Sequence, residues 1–196
     1  MGEREVLKSI PVDQAWPGGT ISAHCFRPDP EAAAALPAPI WIFALHGAGE
    51  DWTYFDKVIP GRENEQFSFA EFMSARGIGT IAIDAFGIGD SNFPAYGSEL
   101  SLDVIARAHD IAARDLRGRI AEGALLPGVK AAKDVFFIGL GHSGGGGMTV
   151  YQQGSHATFD AIVVLSMPVD DYQYPYGGRG ALDASIVTDE RGRIRI

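Results

Sequence analysis

Four short, largely apolar runs constrain this chain more than any other feature. They are Ile40-Trp41-Ile42-Phe43-Ala44-Leu45, residues 78–85, residues 135–140 and residues 161–167. Continuous rather than alternating apolarity marks a strand buried on both faces, as in a parallel sheet. Parallel neighbours need a crossover between them, usually a helix. Helical patterns do lie between the runs, at 67–76, at 102–116 and around 148–153. In the second, Leu102, Ile105, Ala108, Ala112 and Leu116 share one face, and Ser101 stands where an N-cap belongs. Strand, helix, strand, helix predicts an α/β fold built on a mostly parallel, doubly wound sheet. Before the first run, residues 4–13 and 20–27 alternate around Trp16-Pro17-Gly18-Gly19, which predicts an antiparallel N-terminal strand pair. Pro28, Pro30, Pro37 and Pro39 exclude a long helix across 28–39.

Composition removes several classes of function. A length of 196 residues suits one domain, and 46% hydrophobic with 21% charged residues is ordinary for a globular chain. The net charge of -9, with no basic run, argues against nucleic acid as a partner. No apolar stretch approaches the ~20 residues of a membrane span. The single cysteine, Cys25, excludes an intramolecular disulfide. Histidines 24, 46, 109, 142 and 156 show no metal-ligand spacing, and no cofactor, metal or organic, is expected. The first residues lack a signal-peptide core, which makes the cytoplasm the default location. Glycine is the outlier at 25 residues, against average usage of ~7%.

Those glycines cluster where the apolar runs end. Gly141-His142-Ser143-Gly144-Gly145 follows the third run and leads into a helical stretch. A serine in G-x-S-x-G between strand and helix sits on a tight, strained turn that exposes its hydroxyl. The helix N-terminus behind it offers amides and a positive dipole end to a developing oxyanion. Leu45-His46-Gly47-Ala48-Gly49 closes the first run, and Asp84-Ala85-Phe86-Gly87-Ile88-Gly89-Asp90-Ser91 closes the second. Together and in this order, the three resemble the α/β-hydrolase superfamily over residues 4–168. That family reads H-G after its third strand, D-x-x-G-x-G-x-S after its fourth and G-x-S-x-G after its fifth. The resemblance implies Ser143 as nucleophile, with the amides of Ala48 and Gly144 as oxyanion hole. It implies a small-molecule acyl substrate, such as a carboxylic ester, and His46 and Asp84 as structural members of their turns.

The chain departs from the family pattern after the serine. The family places its acid and then its histidine beyond the nucleophile, whereas the last histidine here, His156, lies thirteen residues past Ser143. Asp170 or Asp171 stands where some members carry the acid. The expected organisation is a hydrolase core over 1–168, followed by the start of a cap or a hairpin tail over 169–196. The family's C-terminal third would then be missing, and with it the base that a serine hydroxyl needs. His142 reads as wall rather than base, and His109 as surface or satisfied core. Tyr172, Tyr174 and Tyr176 would line an apolar entrance or pack on themselves.

Two other readings remain open at this point. One is a non-catalytic hydrolase-like binding module whose exposed sheet edge a partner chain or a second copy covers. The other is a dinucleotide-binding Rossmann-type module, since Gly139-Leu140-Gly141-His142-Ser143-Gly144 also fits G-x-G-x-x-G.

Overall fold

The structure, a computed structural model, describes residues 4–63, 66–92 and 100–167. Among the described residues six strands form one sheet in the order β1-β2-β4-β3-β5-β6. They are β1 (Arg4–Pro11), β2 (Thr20–Phe26), β3 (Ile40–Leu45), β4 (Ile78–Ile83), β5 (Phe136–His142) and β6 (Ala161–Leu165). The four apolar runs are β3 to β6, and β3 runs parallel to β4 and β5, as β5 does to β6. The N-terminal pair is antiparallel, and β2 carries that direction across to β4. Val12 and Gly19 close the hairpin with a hydrogen bond of 2.9 Å from amide to carbonyl.

Helices cover both faces. On one, Trp41, Phe43, Leu45, Ile81, Ile83 and Phe137 pack with α3 (Leu102–Glu122). That helix presents Ala108, Ala112, Leu116 and Ile120, and its alanines let it approach closely. On the other, Ile42, Ala44, Ala82 and Leu140 meet Phe55 and Ala70, the latter from α2 (Phe69–Ser74). The expected cap holds: the Ser101 hydroxyl accepts the Val104 amide. α3 runs past the predicted end at Leu116, because the apolar stripe resumes at Ile120 beyond the polar Arg117-Gly118-Arg119. It stops at Gly123, whose φ of 70° supplies a left-handed cap. Within the proline-rich 28–39 there is one five-residue helix, α1 (Pro30–Ala34), capped by Asp29.

One expectation fails in part. Residues 161–167 read as a strand buried on both faces, yet Val163 and Leu165 are each 40% exposed. β6 is the last strand among the described residues and pairs on one side alone, with β5, while α4 (Gly144–His156) covers one face. The 169–196 segment, with Asp170, Asp171 and the three tyrosines, lies outside the described residues.

Candidate active site

The three glycine-rich turns meet at the C-terminal ends of adjacent strands. Leu45 is in register with Ile83 on one side and Gly141 on the other, so residues 46–49, 84–91 and 142–144 leave the sheet side by side. Open α/β sheets bind their ligands at this end.

Ser143 joins β5 to α4 with φ 51° and ψ -121°. A side-chain-bearing residue adopts that conformation only under strain, on the order of 1–3 kcal/mol. Neighbours hold it there. The Ser143 amide donates to the Leu165 carbonyl at 2.8 Å, and its carbonyl accepts the Gly146 amide at 2.8 Å. Its side chain is half-buried and makes no capping hydrogen bond to the helix it begins. Glycine would take this φ and ψ freely. We therefore expect Ser143→Gly to be about 1 kcal/mol more stable than Ser143→Ala in chemical denaturation.

The turn after β3 lies directly against the serine. A Cβ on Gly47 would stand 3.4 Å from the Ser143 Cβ and 3.0 Å from His142 Nδ1. The amides of Ala48 and Gly144 donate to no described residue, and Ala48 is exposed. Ala48 follows the glycine that packs against Ser143, and Gly144 follows Ser143 itself.

The remaining polar groups are committed to structure. His46 is buried, donates from Nδ1 to the Gly47 carbonyl at 2.8 Å and accepts the Ala85 amide on Nε2 at 3.1 Å. Both ring nitrogens are thus used, which sets the tautomer. Asp84 accepts the Trp52 amide on Oδ1 and the Asp90 amide on Oδ2, at 3.0 and 2.8 Å. The Ser91 hydroxyl donates to the Asp84 carbonyl and accepts the Ser22 amide, tying the loop back to β2. His24, Asp84 and Asp90 have ligand atoms within 4.8 Å of one another, but the Asp84 carboxylate is already engaged by two amides. His109 is wholly buried, not on the surface, and is satisfied at one end. Its Nε2 accepts the Phe86 amide at 3.1 Å, while Nδ1 has no partner among the described residues. Burial, followed by the nearby His46, pushes its pKa down to about 3.

Two residues beside the serine turn and one on the adjoining cavity escaped the sequence reading. Glu50 Oε2 accepts the Gly47 amide at 3.0 Å and lies 3.3 Å from His142 Nδ1. Tyr54 stacks on the His142 ring with centroids 4.4 Å apart. Burial, and then the charge of Glu50, raises the Tyr54 pKa. Lys57 joins Glu50, Asp51, Thr53, Tyr54 and Ile88 around a cavity of 610 Å³ between the loops after β3 and β4. No spacing rule marks Glu50, because its partner lies 92 residues away.

The glycines also bear on the dinucleotide alternative. A Cβ at Gly139 would meet the Phe159 ring, and one at Gly141 would meet the Gly145 carbonyl and Thr149 Oγ1. These positions are filled by packing rather than held open for a pyrophosphate.

Comparison with solved structures identifies the fold. An epoxide hydrolase from Vigna radiata superposes with a TM-score of 0.54 at 19% identity, over 89% of this chain and 41% of its own. An α/β hydrolase from Novosphingobium aromaticivorans gives 0.52 at 14%, over 83% and 43%. The thioesterase domain from the curacin biosynthetic pathway gives 0.51 at 16%, over 88% and 49%. The chain therefore has an α/β-hydrolase fold, and it spans less than half the length of these structures. No protein-family model matches it, and neither does any curated protein. Among the described residues no helix is long and apolar enough to cross a membrane.

Proposed function

We propose that this chain carries the nucleophile and oxyanion hole of a serine hydrolase acting on a carboxylic ester or related acyl substrate. Ser143 Oγ attacks the carbonyl carbon and gives its proton to a general base, and the amides of Ala48 and Gly144 hold the oxyanion. The C–O bond to the alcohol breaks as the alcohol leaves with that proton, and water then hydrolyses the acyl enzyme to the free acid. The observation that carries this reading is the backbone of Ser143: a non-glycine residue strained at a strand–helix junction, beside a second turn with free amides. An elbow serine favours acyl chemistry over the carboxylate attack on carbon that opens an epoxide. The serine needs a base, and none of the five histidines hydrogen-bonds its hydroxyl among the described residues. Asp170 or Asp171 remains the proposed acid.

The test is a fluorophosphonate probe with intact-mass detection on the full-length protein. Wild type should gain one adduct, and Ser143→Ala none. An adduct on both variants, or on neither, would overturn the reading. The second result would favour a non-catalytic module, which the engagement of His46, His109 and His142 elsewhere also supports.

A further inference from the structure

We propose that Glu50 is a positioning residue that sets the geometry of the oxyanion hole by tying its two halves together. The inference rests on the serine-hydrolase reading. The two oxyanion amides come from turns 96 positions apart in sequence, at Ala48 and Gly144. They must converge on one oxygen within a few tenths of an ångström, and a misplacement of about 1 Å can cost 100-fold in rate.

Glu50 touches both turns. Its amide donates to the Gly47 carbonyl at 3.2 Å, and its Oε2 accepts the Gly47 amide at 3.0 Å, so residues 47–50 close into a doubly bonded loop around Ala48. The same oxygen reaches His142 Nδ1 at 3.3 Å, on the residue before Ser143. One carboxylate oxygen thus spans the gap from the Ala48 loop to the serine turn. Tyr54 braces the far end by stacking on His142, and Asp51 caps the short 3-10 turn that carries Tyr54. The absence of a side chain at Gly47 makes room for the bridge, since a Cβ there would stand 2.7 Å from Glu50 Oε2.

Position, rather than charge, is what the bridge supplies. A carboxylate this close to a developing oxyanion opposes it electrostatically. A neutral group with the same reach should therefore serve as well or better. Glutamine keeps the reach and loses the charge. Aspartate keeps the charge but is one methylene short of His142.

Glu50→Ala, Glu50→Asp and Glu50→Gln would be compared with wild type for fluorophosphonate labelling of the full-length protein, with inactivation rate and probe affinity measured separately. We expect Ala and Asp to lower the inactivation rate about 10- to 100-fold, with probe affinity changed less than threefold. Gln should restore the rate to within threefold of wild type or exceed it. Thermal unfolding of each variant separates slow labelling from loss of fold. Equal rates for all four proteins would overturn the proposal while leaving the serine reading intact. So would rescue by Asp but not Gln, which would make Glu50 an electrostatic group. An unlabelled wild type would overturn both.

Discussion

Gly145→Ala should cost 3 kcal/mol or more of stability and lower the melting temperature by about 10 °C. A Cβ at this position would run into the carbonyl oxygens of Leu45 and His46. Those are backbone atoms at the end of β3, the strand held between β4 and β5. Leu45 cannot retreat without breaking its pairing with Ile83 and Gly141. Nor can α4 back away freely, because the Ser143 amide is bonded to the Leu165 carbonyl. Gly147→Ala is the control. Its Cβ would meet the Met167 Cε at 2.9 Å, the end of a flexible side chain that can turn aside. Alanine also favours the helix by up to about 1 kcal/mol over glycine. Gly147→Ala should therefore stay within about 1 kcal/mol of wild type in chemical denaturation. Equal stabilities for the two variants would mean that α4 does not sit against β3 as closely as described.

Acid should destabilise the protein through His109. Its pKa falls from 6.5 in the unfolded chain to about 3 in the fold, because burial disfavours the charged ring. Between those values the unfolded state binds a proton that the folded state refuses, so stability rises with pH across the window. The contribution is fully present above pH 6.5 and is lost as pH falls towards 3. One proton changes stability by about 1.4 kcal/mol per pH unit, which sums to roughly 5 kcal/mol at the lower end. The structural consequence falls on the loop after β4. Neutral Nε2 accepts the Phe86 amide, whereas a protonated ring would point a donor at a donor. Glutamine can present its carbonyl oxygen to the same amide without titrating. His109→Gln should therefore unfold with a shallower pH dependence between 6.5 and 3, measured as the difference in denaturant midpoint from wild type. Identical slopes would exclude His109 as the source.

Much of the fold was legible because burial leaves a mark on local sequence. β3, β4 and β5 could be read from their apolar runs, and Ser101 from its place before a helical stripe. β6 has the same composition, but its exposure depends on what lies beside it, which composition does not record. The motifs behaved likewise. Gly141 to Gly145 announced a strand–helix turn because only glycine tolerates that closeness of backbone. The strain that this turn implies at Ser143 is held in place by β5, α4 and the Leu165 carbonyl, and the last of these is a distant contact that the motif does not record.

By itself, then, the sequence determined the α/β class, the parallel strands and the three turns at their ends. Each of these follows from short-range periodicity or from the steric freedom of glycine. Only the tertiary structure decided which turns face each other. It placed Gly47 against Ser143, joined Glu50 to His142 across 92 residues, and set His46 and His109 on consecutive amides of the β4 exit. These are contacts between distant segments, made by single side chains whose partners are chosen by strand order, and strand order is written in no local pattern.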